Sequence, residues 1–147
     1  MGKLDVLKSI KQEWAQLRET VKTIPNYTFD IPTIENLWST TDTLKHVAGW
    51  DEEVIKILRA YIASGIRREQ VGAANINDRL LEARRNMDAR EAWTQFQETH
   101  LSLISYLETL PEHVFNTDSY TWNWIACLVP QHYRDHRQDI ENIISSL

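Results

Sequence analysis

The chain has 147 residues, a length that suits one domain over residues 1–147, and its 42% hydrophobic and 25% charged residues are ordinary for a globular protein. Its formal net charge of −5 argues against nucleic acid or an anionic membrane as the main partner. No apolar run approaches the roughly 20 residues of a membrane span, no signal peptide opens the chain, and Cys127 is its single cysteine, so we expect a cytoplasmic protein.

Scarce glycine and proline, four of each, favour long uninterrupted helices. The first helix is predicted over residues 3–24, and Pro25 ends it. Residues 25–41 show no sustained period, which predicts a long crossover with a short helical turn around residues 34–37. One face of the first helix repeats at spacings of three and four and consists of Leu4, Leu7, Ile10 or Lys11, Trp14, Leu17, Val21 and Ile24.

A second helix is predicted to begin at Thr41 or Asp42 and to stop at Gly65. His46 lies at the edge of its inward face. Gly49 lies in mid-helix, where glycine costs about 1 kcal/mol relative to alanine, and such a glycine often permits close packing or access nearby. The inward face consists of Val47, Trp50, Val54, Ile57 or Leu58, and Tyr61. The charged residues expected to face water are Asp51, Glu52, Lys56 and Arg59.

The third helical region follows an exposed loop over residues 65–74 and begins near Asn75. Asp88 followed by Glu91 is typical of a capping box, which predicts that the helix breaks and restarts there. Pro111 closes the region. One face of the restarted helix is mostly apolar and consists of Trp93, Phe96, His100, Leu103, Leu107 and Leu110.

A fourth helix is predicted from a cap at Ser119 or Thr121. Pro130 either kinks this helix or marks the start of its regular part. Its inward face consists of Ile125, Val129, His132, His136, Ile140, Ile143 and Leu147. Four long periodic segments, with no run that supports a sheet, predict an all-α four-helix bundle with long crossover connections.

Two histidines, His132 and His136, stand in the middle of this apolar face with Cβ atoms about 5–6 Å apart. Buried imidazoles need partners, and a shared metal ion is one; the alternative is two core histidines bonded to backbone or to acidic side chains. One cysteine cannot build a Cys-rich structural zinc site, so three histidines with an open position fit better. His46 is the leading third ligand and His100 its rival. His113 is expected in a loop.

Other polar residues near these histidines have two interpretations each. Glu53 shares a helical face with His46 and is a weaker candidate for a general base or fourth ligand. Asp135 and Asp139 each follow a histidine by three residues and either orient its second nitrogen or face water as ordinary helix carboxylates. Trp50, one turn after His46, either walls a pocket or packs in the core.

The stretch TLKHVAGW at residues 43–50, followed late in the chain by HYRDH at residues 132–136, resembles the DinB/YfiT-like superfamily. The resemblance covers nearly the full length, and Pro130 departs from the pattern. It implies a four-helix bundle in which His46, His132 and His136 bind a divalent metal ion, most often zinc or nickel.

The resemblance also implies a range of functions, because relatives include thiol-dependent S-transferases, a maleylpyruvate isomerase and hydrolases. We expect a metal-dependent transferase or hydrolase acting on a small electrophilic molecule, with a metal-bound water or thiol as the nucleophile. A non-catalytic bundle that binds or sequesters a small molecule is the alternative. The expected partners are the small-molecule substrate, a low-molecular-weight thiol and a second copy of the chain in a homodimer, without nucleic acid or membrane.

Overall fold

The computed structural model describes residues 2–33, 38–68 and 73–147, with only the backbone for residues 73 and 74. Every regular element in these ranges is helical and none is a strand, which confirms the prediction of an all-α fold. The turn of helix predicted around residues 34–37 lies outside the described residues. Across the described part of the chain, no helix is long and apolar enough to span a membrane.

The helices of the described ranges are α1 (Lys3–Lys22), α2 (Thr40–Ser64), α3 (Ala73–Ala83), α4 (Ala89–Glu108), α5 (Ser119–Trp122) and α6 (Val129–Ser146). A π-helical segment, Asn123–Leu128, joins α5 to α6, and 3-10 turns occupy Asn26–Thr28 and Glu112–Phe115. The long helices form the bundle: α2 packs along α4, α1 packs along α6, and the shorter α3 lies against α2.

Hydrogen bonds at the helix ends explain where α2 begins and stops. Its N-cap is Ser39 rather than Thr41 or Asp42, because the Ser39 hydroxyl accepts from the backbone N–H of Asp42 while the Asp42 carboxylate accepts from the N–H of Ser39, both at 3.1 Å. At the other end Gly65 adopts a φ of 71°, the left-handed conformation predicted for its stop.

The caps of the later helices follow the same physics. Asp88 caps α4 as predicted, with its side chain accepting from the N–H of Glu91 at 2.8 Å. The cap of α5 is Asp118 rather than Ser119 or Thr121. Its carboxylate accepts hydrogen bonds from the backbone N–H groups of Tyr120 and Thr121 in the first turn. Asp118, one position before Ser119, thus satisfies the N–H groups for which the sequence predicted a hydroxyl cap.

Pro130 is the second residue of α6, and the helical backbone continues before it as the π-helical segment. The regular α-helix starts at Val129, one residue before the proline, which agrees with the second of the two predicted alternatives, and the turns before it are π-helical. Single π-helical turns inside α-helices often lie at functional sites. Here the segment carries Trp124 and Leu128, which both line a cavity beside His46 and His132.

The bundle encloses one apolar core to which all four long helices contribute. Its fully buried large side chains include Ile10, Leu17, Leu44, Leu58, Phe96, Leu103, Ile125, Tyr133 and Ile140. Because this burial is spread over four helices, we expect the fold to draw most of its stability from the apolar core and little from any bound ion.

Gly49 permits the close approach of α3 to α2. A Cβ atom at this position would lie 3.0 Å from Cβ of Leu80 and 3.2 Å from Nη1 of Arg84. Replacing a mid-helix glycine by alanine normally gains about 1 kcal/mol, but forcing extra volume into a packed contact costs about 1–3 kcal/mol. We therefore expect Gly49→Ala to lower the free energy of unfolding, by up to about 2 kcal/mol, in urea denaturation.

The matched control is Ala60→Gly, at an exposed position of the same helix, which reports the propensity difference alone. A Gly49→Ala protein that gains stability would show that α3 moves away from α2 without cost, and would contradict the close-packing role of Gly49.

Candidate metal centre and adjoining cavity

Three histidine side chains meet between α2 and α6. The Nε2 atom of His132 lies 2.9 Å from Nε2 of His46 and 3.1 Å from Nε2 of His136. One ring nitrogen from each residue lies within 4.8 Å of the other two. Ligands at 2.0–2.1 Å from a tetrahedral zinc ion are about 3.3 Å apart, so the two pairs that His132 forms are within a few tenths of an ångström of ligand spacing. The three histidines are therefore placed to hold a metal ion.

Burial keeps the imidazoles of His46 and His132 in the neutral form that binds metals. It lowers the pKa of His46 to about 3, with a smaller contribution from the neighbouring His136. Burial also lowers the pKa of His132 well below its usual range, and both neighbouring histidines add to the effect. Uncharged rings at neutral pH have a free lone pair, which is the state that a metal ligand requires.

Hydrogen bonding leaves the facing nitrogens short of protons. Nδ1–H of His136 donates to Oδ2 of Asp139 at 2.9 Å, because a carboxylate can only accept, and in the neutral form of this ring Nε2 then presents a lone pair to the cluster. The Nε2 atom of His132 carries at most one hydrogen, so it cannot donate a hydrogen bond to both His46 and His136. Nδ1 of His46 is buried and has no hydrogen-bond partner among the residues that the structure describes. An ion bound by all three Nε2 lone pairs would resolve this arrangement.

The other predicted candidates lie elsewhere. His100 is buried on α4, where its ring stacks on Trp14 with centroids 4.1 Å apart and its Nδ1 lies 3.1 Å from the Tyr133 hydroxyl. His113 is exposed in the 3-10 turn, as expected of a loop residue. Glu53, the weaker candidate for a base or ligand, forms an ion pair with Arg79 of α3 at 2.9 Å.

Asp139 orients a histidine, whereas Asp135 does not. Oδ1 of Asp135 accepts from the Gln131 side chain at 2.7 Å on the exposed side of α6. Loss of a carboxylate that holds a metal-binding histidine typically weakens metal affinity by about 10–100-fold. We expect Asp139→Asn to lower zinc affinity within that range, measured by competition with a chromophoric chelator.

The matched control for this experiment is Asp135→Asn, which removes the same charge four residues earlier on the same helix. If both variants lost affinity equally, the effect would be one of net charge. If Asp139→Asn bound zinc as tightly as the parent protein, the hydrogen bond to His136 would have no role in binding.

A cavity of about 350 Å³ opens beside His46 and His132. Trp50 forms one wall, and its Nε1–H donates to Oδ1 of Asn77 at 2.8 Å, which fixes the ring. Trp124 stands beside it with ring centroids 6.4 Å apart. The remaining lining comes from α2, α6 and the π-helical segment and includes Asp51, Val54, Leu128, Val129, Gln131 and Asp135. The cavity has the size and the aromatic walls of a small-molecule site.

Asp51 corrects a sequence-based expectation, because it does not face water. It is 2% exposed, lines the cavity, and its Oδ2 accepts a hydrogen bond from the Tyr133 hydroxyl at 2.9 Å. Burial raises the pKa of this carboxyl to about 8, although the bond from Tyr133 acts in the opposite direction. The available signal was spacing, since Val47, Asp51 and Val54 follow one another by four and three residues on the buried face.

Fold and site together define an all-α bundle with a three-histidine cluster beside an aromatic-walled cavity. ClbS, a colibactin self-resistance protein solved in complex with double-stranded DNA, matches with a TM-score of 0.83 and 12% identity, covering 99% of this chain and 97% of its own. DfsB, described as a sibling lethal factor precursor, matches with a TM-score of 0.80 and 15% identity over 99% and 96%. A Streptococcus pneumoniae protein matches with a TM-score of 0.78 and 13% identity over 99% and 91%.

These likenesses establish a shared helical fold and, at such low identity, nothing finer. No family model and no curated protein matches the sequence. Membership of the DinB/YfiT-like superfamily therefore remains a prediction, carried by the two histidine motifs and by the bundle fold.

The expectation that nucleic acid is not a partner is contradicted, because ClbS was solved with bound double-stranded DNA. The expectation rested on a net charge of −5, which averages over the whole surface. Contact with a phosphate backbone depends on the local charge distribution instead. Net charge is therefore no ground for excluding DNA as a partner of this fold.

Proposed function

We propose that this protein is a metal-dependent enzyme acting on a small electrophilic molecule, either as a thiol S-transferase or as a hydrolase. The observation that carries the proposal is the meeting of the Nε2 atoms of His46, His132 and His136 at 2.9 and 3.1 Å beside the cavity. Three histidines at such spacing leave further coordination positions for water or substrate, as catalytic sites require.

The donor set suits zinc or nickel, since neutral imidazole nitrogens bind both and no thiolate belongs to the group. When bound, such an ion supplies a positive charge that lowers the pKa of a water or thiol and so provides a nucleophile near neutral pH. The protein's own part is to hold the three nitrogens, with Asp139 orienting His136, and to keep the rings of His46 and His132 uncharged by burial.

The cavity supports a small and largely apolar substrate. Trp50 and Trp124 provide broad flat surfaces, while Asn77 and Gln131 offer amide groups that can orient a polar substituent. The role of ClbS as a colibactin self-resistance protein is compatible with a fold that handles a specific compound.

A second candidate function is sequestration of a small molecule without chemistry. The apolar walls of the cavity favour it, because burial of Trp50, Trp124 and Leu128 against a ligand gives affinity whether or not a metal ion is present. Metal dependence separates the two functions.

The test begins with elemental analysis of protein purified without immobilised metal, for which we expect about one zinc or nickel ion per chain. The protein is then screened against epoxides and aryl halides with a small thiol, and against esters and amides without one. We expect turnover that is lost on chelation and restored by zinc or nickel. Turnover that survives complete metal removal would contradict the metal-dependent enzyme. Absence of turnover together with tight, metal-independent binding of a cavity ligand would establish sequestration instead.

A further inference from the structure

Asp51 is a buried carboxyl group that faces the cavity from α2, five residues after His46. Its Oδ2 accepts from the Tyr133 hydroxyl at 2.9 Å, while none of the described residues forms a hydrogen bond with its Oδ1. Because Asp51 is 2% exposed and lines the cavity, a molecule bound there is the natural partner of Oδ1.

A chain of hydrogen bonds holds this carboxyl in place. The Tyr133 oxygen, which donates its own hydrogen to Asp51, also lies 3.1 Å from Nδ1 of His100 and can accept the hydrogen of that ring. The His100 ring is clamped against Trp14 by stacking at 4.1 Å with an interplanar angle of 1°. Tyr133 neighbours His132 in sequence, so one turn of α6 positions both the carboxyl and a histidine of the candidate metal centre.

The surroundings of Asp51 differ from those of the carboxyl groups that have a structural role here. Glu13 is held by Arg134 at 3.3 Å, and Glu53 by Arg79 at 2.9 Å. Among the described residues no lysine or arginine forms an ion pair with Asp51. Burying a carboxyl group without a cation is costly, and it leaves the group able to gain and lose a proton. Such a carboxyl in a cavity fits acid–base chemistry better than it fits stabilisation.

We propose that Asp51 is the general acid of the cavity, with Tyr133 and His100 as the residues that position it. This inference rests on the proposed function, since it assigns a residue to that reaction. As the nucleophile forms its bond to the electrophilic carbon, the bond from that carbon to the departing oxygen breaks and leaves its electron pair on oxygen. The oxygen takes the proton from Oδ1 of Asp51. The resulting carboxylate keeps its hydrogen bond from Tyr133 and is protonated again by the proton that the water or thiol nucleophile released.

The test compares substrates whose leaving group needs a proton with substrates whose leaving group does not. Phenyl acetate and nitrophenyl acetate form such a pair for hydrolysis. Styrene oxide and chlorodinitrobenzene, each with mercaptoethanol, form the pair for thiol transfer. Asp51→Asn keeps the shape of the side chain and its acceptor for Tyr133 but has no proton to give. We expect kcat to fall by about 100-fold or more for phenyl acetate or styrene oxide, the size of general acid catalysis, and to change little for the other member of the pair.

Two further measurements keep a structural effect apart from a catalytic one. Elemental analysis is expected to find the same metal content in Asp51→Asn as in the parent protein. In Tyr133→Phe, loss of the hydrogen bond that favours the carboxylate is expected to shift the alkaline limb of the kcat profile to higher pH. Asp30→Asn, the same change at an exposed position before α2, is the control and is expected to leave both pairs unchanged.

The possible failures are distinguishable. An equal loss on both members of a pair, or loss of metal from Asp51→Asn, would overturn the role of Asp51 as general acid and leave the metal-dependent enzyme standing. A metal-loaded parent protein that turns over neither pair would overturn both proposals.

Discussion

His132→Ala is expected to lose zinc affinity by more than about 100-fold, which exceeds the usual effect of removing a residue behind a metal ligand. His132 has its Nε2 within 3.1 Å of Nε2 of both other histidines, and its loss leaves only two ligands. Isothermal titration of metal-free protein with zinc measures the change. Elemental analysis of the purified variant should find it empty, and metal-dependent turnover should disappear with the ion.

The fold should survive this substitution, because the apolar core spans α1, α2, α4 and α6. The cavity left by the ring costs some stability, while removal of a crowded polar group restores part of it. Circular dichroism of the metal-free proteins should show the same helix content. His113→Ala, in an exposed turn, is the control and should keep full affinity. Retention of stoichiometric metal by His132→Ala would exclude His132 as a ligand.

Asp51→Asn is expected to make the metal-free protein more stable, and increasingly so as the pH rises from about 4 to about 8. Burial raises the pKa of Asp51 from 3.8 to about 8. Between these values the unfolded chain releases a proton that the folded protein keeps, so the parent protein loses stability as pH rises; above pH 8 the loss is complete. Each pKa unit corresponds to about 1.4 kcal/mol, so the full difference amounts to several kcal/mol. Asparagine does not titrate and avoids this loss.

Urea denaturation of both metal-free proteins at a series of pH values measures the difference. His46 and His132 act in the opposite direction, because their lowered pKa values remove stability as pH falls below 6.5, where the unfolded rings take up protons. That contribution is common to both proteins and cancels when their stabilities are subtracted. A difference in unfolding free energy that stays constant with pH would mean that Asp51 is ionised in the folded protein throughout.

The apolar periodicity was enough to predict the long helices and the all-α class, because a helix repeats its faces every three or four residues whatever it later packs against. Helix ends were predicted where a single residue decides them, as at Gly65, whose left-handed φ of 71° suits glycine. The caps at Ser39 and Asp118 were missed because neighbouring Ser, Thr and Asp residues compete for the same N–H groups. The backbone geometry at the helix end decides which of these side chains forms the cap.

The spacing of His132 and His136 placed both rings on one face of a helix without any knowledge of the fold. The position of a third histidine had to come from packing, because His46 and His100 both lie on or beside apolar faces of their own helices. The structure turns His46 toward α6 and His100 toward the Tyr133 hydroxyl. Asp51 was predicted to face water because it is charged, yet it is buried against Tyr133 of α6. Periodicity along one helix reports which residues share a face, whereas the neighbour of that face, and so its chemistry, is set by contacts between residues more than eighty positions apart.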